Sequence, residues 1–454
     1  MNKYIKTAII SATAVLSFGA VAQNTNSAYF TEGYTHRYQL NPAFDNEKNF
    51  ISIPGVGNIN VATHGTIGLD NIFYSVDGKT TTFMNPAVDA SFLNDINDVS
   101  RLAGDVNINL LSAGFKAFNG YNTVSINVRG NLNTHLPKTI FSFMKEGVEN
   151  KTYDISDFDA HADVYGEIAL GHSHKLGDKW RVGGAVKFLL GGANIDAKFN
   201  KAELTLGEDE WSAITNAEVQ ASVKGLTYEH DINKETGHEY VSGMDVDGTG
   251  LNGFGMAFDL GAEFKPNQDW AFSAALLDLG FINWNNNMVA STGGDKSFTT
   301  STYSFNVDED APNNFSDEFD MMMNDLSALY ELEDEGDAGS RTTTLGATLN
   351  LGAEFTLPVY RNLKFGLLNS TRIQGDYSWT EFRLSANINP VKPFSAGANF
   401  AVGTYGCSFG WLMNVNVTGF NMFVGMDHFM GKLTKQGLPL SSNASVNMGI
   451  NIPF

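Results

Sequence analysis

A single cysteine, Cys407, excludes an internal disulfide and any cysteine-built metal site. Basic residues are scarce: 29 Lys and Arg stand against 50 Asp and Glu, a formal net charge of -21. Nucleic-acid binding needs clustered cations on the protein, so DNA and RNA are excluded as partners. Beyond residue 22 no apolar run approaches the roughly 20 residues a helix needs to cross a bilayer, and mean hydropathy is only -0.16. A helical membrane protein is excluded. No His-Glu-x-x-His motif and no Cys-His pairing in a catalytic context is present, so no catalytic residue, cofactor or metal is assigned and no enzyme is expected.

What the chain has is Gly 46, Phe 33 and Tyr 15 in 454 residues, a mixture of β-formers and turn-formers. The composition reads as all-β. Its first residues read as an export signal over 1–22: Lys3 and Lys6, an apolar stretch from Ala8 to Phe18, then Ala20-Val21-Ala22 with cleavage before Gln23. An exported, acidic, all-β chain is either a soluble β-protein or an outer-membrane barrel. The length of the alternating runs separates them, because a lipid-facing strand must stay apolar on one face for about 9 to 11 residues.

The runs are long. In the last twelve residues Ala444, Val446, Met448, Ile450, Ile452 and Phe454 alternate with Ser445, Asn447, Gly449 and Asn451. From Phe254 to Phe264 an apolar set alternates with one that holds Asp259 and Glu263. Leu345 to Phe355 sets Glu354 opposite its apolar residues, Phe382 to Ile388 sets Arg383, and Trp180 to Leu190 sets Arg181 and Lys187. A charge on the lipid side at mid-bilayer costs about 2 to 4 kcal/mol, so Arg181, Lys187, Asp259, Glu263, Glu354 and Arg383 are expected to line a wet lumen.

Short links such as Asn119-Gly120-Tyr121, Leu176 to Lys179, Pro266 to Asp269 and Thr418-Gly419 mark one rim, and long segments mark the other. Six strand pairs follow, together with a terminal strand and an opening strand read over Phe50 to Val61. The expectation is a transmembrane antiparallel β-barrel of about 14 strands over 49–454, with long extracellular loops at 134–160, 196–249 and 285–340. Sixteen strands is the alternative, if Trp211 to Val223 and Phe298 to Phe305 also span. The adjacent Leu110-Leu111 breaks alternation, which reads as a bulge and one way to open a lateral exit in the wall.

The segment 23–48 is too polar to span, yet Tyr29, Phe30, Tyr34, Tyr38, Leu40 and Phe44 are too apolar for a solvated tail. It is read as a plug. His172 and His174 lie two apart on one strand face and read as polar rim residues rather than metal ligands. Between Val307 and Ser340 lie twelve acidic residues and no Lys or Arg. Part of that stretch, Ser316 to Leu332, reads as an amphipathic helix with Phe319, Met322, Met323, Leu326, Leu329 and Tyr330 inward. The surrounding charge serves solubility, with divalent-cation bridging to lipopolysaccharide or a lid over the pore as alternatives.

Asn252-Gly-Phe-Gly-Met-Ala-Phe-Asp-Leu-Gly-Ala-Glu-Phe264, the run Ala274 to Trp284, and Gln39-Leu-Asn-Pro-Ala-Phe44 resemble an outer-membrane barrel family of unknown function found in Bacteroidetes. That family is similar in turn to the FadL-like fatty-acid transport channels and to the outer-membrane barrel of type IX secretion. Asn41-Pro42-Ala43 resembles the hatch-region Asn-Pro-Ala of the fatty-acid channels, which implies that Tyr34, Leu40, Asn41, Pro42 and Phe44 form an N-terminal hatch. The terminal Phe454 resembles the signal read by the barrel assembly machinery. The resemblance implies outer-membrane localisation, lipid and lipopolysaccharide as neighbours, and uptake of small hydrophobic molecules. A non-conducting barrel that anchors a partner protein or polysaccharide on its long loops is the alternative.

Overall fold

The computed structural model describes residues 25–454 except 147–148, 208–209, 235–236, 249, 304–314 and 429–442. The export signal read over 1–22 lies outside the described residues. Strand alternation is realised as a closed antiparallel barrel of 14 strands. In chain order these are β1 (Phe50–Ser52 and Ile59–Gly65), β2 (Val99–Ala117), β3 (Gly120–Pro137), β4 (Asp159–Leu176), β5 (Trp180–Leu206), β6 (Gly253–Phe264), β7 (Trp270–Trp284) and β8 (Arg341–Thr344 and Ala347–Thr356). They continue as β9 (Leu363–Ile373), β10 (Trp379–Val391), β11 (Phe394–Gly403), β12 (Gly406–Val417), β13 (Phe420–Met426) and β14 (Ala444–Pro453). Neighbours in sequence pair throughout, and β14 closes on β1 through Phe50↔Pro453 and Ile59↔Met448. Closure removes the edges that an open sheet would leave unpaired.

The pleat sorts the side chains. Along β6, Phe254, Phe258 and Leu260 are exposed on the outside while Ala257 and Asp259 are buried; along β14, Met448 and Ile452 face out while Asn447 and Asn451 are buried. An apolar belt therefore surrounds an interior rich in Asn, Ser and charge, the reverse of a soluble domain. At the short-turn rim Trp180 stacks on Phe264 with centroids 4.4 Å apart and Trp270 packs on Phe355 at 4.9 Å, an interfacial aromatic girdle.

Several sequence readings need correction. β1 is not continuous over Phe50 to Val61: Pro54 has no N–H to donate and Gly55 has φ 75°, so 53–58 leaves the regular ladder. The first hairpin turns at Phe118-Asn119, with φ of 56° and 58°, a type I′ geometry one residue earlier than Asn119-Gly120-Tyr121. The register does shift between Asn109 and Leu111. The wall stays sealed there, because Gly55 N donates to Leu110 O at 3.1 Å and Asn109 N donates to Asn58 O at 2.8 Å.

The long loops fold into a lobe of their own. β5 runs past the wall and pairs with Trp211–Val223, which in turn pairs with Asn287–Ser291 and Lys296–Thr299. Trp211–Val223 takes no place in the closed ring, which settles the count at 14 rather than 16. The helix Phe315–Ala328 packs Met322 and Leu326, with Leu329 just beyond it, against Phe298 and Ala213. Tyr330 points outward, 59% exposed, against the expectation that it packs inward: the helix has ended two residues earlier and the helical period no longer applies. Phe319 and Met323 have no described side chains.

Candidate functional site: the plugged lumen

The segment from Thr25 to Lys48 sits inside the ring of strands as a series of turns, and its aromatics build a core there. Tyr29, Phe30, Tyr34, Leu40 and Phe44 cluster with Leu368, Leu412 and Phe423 of the wall. Tyr34 meets Phe423 edge-on at 4.8 Å, Tyr29 meets Phe44 at 5.2 Å, and the Arg37 guanidinium lies 4.3 Å from the Phe44 ring centroid. Two wall glycines make room. A Cβ at Gly183 would stand 2.1 Å from the Pro42 carbonyl oxygen, and one at Gly366 would stand 2.3 Å from Phe30 Cδ2.

Polar side chains tie the plug down. Asn41 is fully buried; its Nδ2 donates to the Ala262 and Ala274 carbonyls at 3.3 and 3.2 Å, while its Oδ1 accepts from Ala43 N at 2.9 Å. Asn350 Nδ2 donates to Leu40 O at 3.0 Å. At the long-loop end of the plug, Asn26 N and Ser27 N donate to the Asp427 carboxylate at 2.7 and 2.6 Å. At the other end Arg181 pairs with Asp45 at 2.8 Å. Among the described residues the main-chain to main-chain hydrogen bonds of 25–46 are local turns; every bond between plug and wall has a side chain on at least one side.

His36 is buried between wall and plug. Its Nε2 donates to Gly57 O at 3.0 Å and Asn451 Oδ1 at 3.2 Å, so the neutral Nε2–H tautomer fits, with Nδ1 facing the Tyr38 hydroxyl at 3.5 Å. Burial lowers the His36 pKa from 6.5 to about 4 and pushes the Tyr38 hydroxyl up to about 12. A docked plug thus holds His36 neutral, whereas a plug released into water takes up a proton below about 6.5. Docking is fully supported above that value and weakens as pH falls toward 4. Ionic current through the reconstituted barrel is expected to rise across this window, and His36→Gln is expected to remove that part of the pH dependence.

The lumenal residues expected from sequence occupy distinct places. Lys187 and Asp259 meet in a buried cluster, with Lys187 Nζ at 2.7 Å from Asp259 Oδ2, 2.6 Å from Asp278 Oδ1 and 3.9 Å from Glu167 Oε2. Arg129 completes it, reaching Asp278 at 2.8 and 3.0 Å and Glu167 at 2.9 Å. Arg383 lies elsewhere, fully buried beside Glu381 at 2.8 Å and hydrogen-bonded to Asp427 O and Ser27 Oγ. Arg181 holds the plug, Glu354 pairs with Lys364 at 3.1 Å, and Glu263 pairs with Lys265 at 3.0 Å at the short-turn rim. Lys364 also binds plug residue Glu32.

Arg129, Glu167 and Asp278 escape a pattern search. Asp278 has φ 58° at a bulge opposite the shift between Phe258 and Leu260, and its N–H donates to Asp259 Oδ1 at 2.8 Å. The bulge turns the Asp278 carboxylate inward in a run, Leu276 to Leu279, where strict alternation would send it to the lipid face. The doublet Leu276-Leu277 was the available signal, of the same kind as Leu110-Leu111.

A small cavity lies between plug and wall, bordered by Tyr38, Pro42 and Phe44 on one side and Arg129, Glu167, Lys187 and Asp259 on the other. A second, only large enough for water, lies at the long-loop end around His64, Trp379, Glu381, Tyr405, Asp427 and His428. Gly406-Cys-Ser-Phe-Gly410 has the spacing of a nucleophile elbow, yet it lies on the regular strand β12. Ser408 Oγ is 2.9 Å from His428 Nδ1, but Glu381 Oε2 stands 3.9 Å from His428 Nε2, beyond hydrogen-bond range, so the three form no relay. His172 and His174 stack at 6.0 Å on one strand, with His172 bonded to Asn122, and among the described residues no group of three ligating side chains is placed to hold a metal.

Residues 42–427 match a family of unknown function, DUF5723. The chain belongs to this family. No curated protein sequence matches it. Among solved structures, this DUF5723 chain is similar to a deletion mutant of the monoaromatic hydrocarbon channel TodX, at 8% identity and a TM-score of 0.44 over 93% of this chain and 94% of that one. It is similar also to the Pseudomonas putida toluene transporter TodX, at 8% identity and a TM-score of 0.39 over 95% and 94%. A third is a Pseudomonas aeruginosa FadL homologue, at 10% identity and a TM-score of 0.38 over 95% and 98%.

Proposed function

We propose that this chain is an outer-membrane channel for small molecules, held shut by its own N-terminal plug. The apolar belt and the aromatic girdle support a membrane position, with the short-turn end in the periplasm, lipid on the outer face and the barrel assembly machinery acting through Phe454. One observation carries the gate: the plug is fastened by side-chain bonds to a polar lumen and shares no strand ladder with the wall, so it is able to leave without unzipping the barrel. The substrates are small hydrophobic molecules that also bear a polar group. Tyr38, Phe44 and Tyr121 give the inner cavity its apolar side, and Arg129, Glu167, Lys187 and Asp259 give it a charged one.

Gly183→Val tests the gate with one residue. The added Cβ meets main-chain atoms of Pro42 and Ala43, which have no rotamer to yield, so the plug must lift. In planar bilayers the variant is expected to pass discrete current steps where the unaltered protein stays closed. Closed records from the variant, with a folded barrel, count against a plug-gated channel. Normal uptake of every amphipathic solute by a strain deleted for this chain counts against the substrate class and favours an anchoring barrel.

A further inference from the structure

We infer that the turn between β9 and β10, residues 374–378, is a crossbar over the long-loop mouth that limits the size of what enters. The inference rests on the channel reading and adds to it the place where solutes are selected, at the mouth rather than at the plug. In a ring of fourteen strands β10 stands seven places from β3, so the two face each other across the lumen. Yet Tyr377 is seated against that far wall. His135 of β3 stacks on its ring at 4.9 Å, 12° from parallel, and His161 of β4 lies at 6.0 Å. The Tyr377 hydroxyl donates to the Asp159 carboxylate, which also accepts from His135 Nδ1 at 2.9 Å. Beside it the Ser378 carbonyl accepts from the Arg101 guanidinium of β2 at 2.9 Å.

Both ends of the crossbar are fixed. Within the turn Gly375 takes φ 54°, Gln374 N donates to Ser378 Oγ at 2.9 Å and Tyr377 N donates to Gln374 O at 3.1 Å. On the receiving side each ring nitrogen of His161 faces a carboxylate, Asp196 at 2.5 Å and Asp163 at 3.2 Å, which holds the imidazole in place. Arg372 of β9 makes a second crossing to Asp105 of β2, again seven places away, at 3.8 Å. An ordinary hairpin turn projects into water, whereas this one spends its tyrosine and a carbonyl on the opposite wall. Fourteen strands about 4.8 Å apart and tilted by about 40° enclose a ring on the order of 25 Å across, so one two-stranded turn spans the mouth without covering it. It acts as a bar that divides the opening, and wide solutes are turned away while ions and small molecules pass on either side.

Thiol reagents of graded size read this limit on the full chain carrying Cys407→Ser and Asn133→Cys. Asn133 is buried on the lumenal face of β3, two residues deeper than His135. The rate with long polyethylene-glycol maleimides, divided by the rate with N-ethylmaleimide, is the measured quantity. Releasing the turn with Tyr377→Ala and Arg101→Gln is expected to raise this ratio at least about tenfold, since each tie is a hydrogen bond to a charged group. Tyr377→Phe keeps the ring and drops the hydroxyl, and a rise of about threefold is expected. General loosening of the fold would speed both reagents together and leave the ratio where it was. Gel mobility before and after heating shows which variants are folded. An unchanged ratio in the folded double variant, or in Tyr377→Phe if the double variant does not fold, overturns the proposal. The assay draws no current, so the two readings fail separately: a raised ratio in a barrel that never conducts keeps the crossbar and removes the channel, and current with an unchanged ratio does the reverse.

Discussion

Lys187→Met is expected to destabilise the barrel by about 3 to 5 kcal/mol, the cost of breaking a buried ionic cluster by removing one partner. Lys187 is the cation nearest to both Asp259 and Asp278, and Arg129, already shared between Asp278 and Glu167, is the cluster's other positive group. Methionine keeps most of the volume and removes the charge, so the loss reports electrostatics rather than a cavity. Urea unfolding, followed by loss of the heat-modifiable gel shift, measures it. Adding Asp259→Asn to Lys187→Met deletes one negative charge from the same cluster, and the double variant is expected to recover about 1 to 3 kcal/mol. Additive losses in the double variant would show that the cluster does not act as a unit.

Deleting residues 25–46 is expected to turn a closed barrel into an open pore while leaving the wall folded. Every wall strand keeps its ladder partners without the plug, because the wall closes through β1 and β14. The deletion exposes the buried side chains of Leu368, Leu412 and Phe423 to water, so some stability is lost. Planar-bilayer recordings should show stepwise current, and gel mobility should still distinguish boiled from unboiled protein. A deletion that folds but carries no current would mean that the lumen is blocked by the wall's own side chains, and the plug would then be a core element rather than a gate.

Much of this architecture was legible beforehand because a barrel strand has one rule repeated many times. In β6 and β14 the period of two sends each second residue to lipid, so Asp259 and Asn451 declare their side without any tertiary knowledge. The plug was legible for the opposite reason: Tyr34, Leu40 and Phe44 follow no period of two, yet are too apolar to stay in water. Where the rule lapses, so does legibility. Asp278 sits beside Leu277 on the lumenal side because of a bulge, and Arg129 and Glu167 join it only because β3, β4, β5, β6 and β7 bring their midpoints to one level. Tyr330 was misplaced because a helical period was continued past the point where the helix stops.

By itself the sequence determined, wherever a strand runs without a bulge, which residues face lipid and which face inward, and that the strands wrap into a closed all-β wall, since alternation is a local property of each strand and charge in lipid is prohibitive. Tertiary structure alone decided which inward residues meet. Across a lumen the partners Lys187 and Asp278, Glu32 and Lys364, or Asn26 and Asp427 lie tens to hundreds of positions apart, and their meeting depends on register, bulges and the path of the plug, which no local pattern encodes.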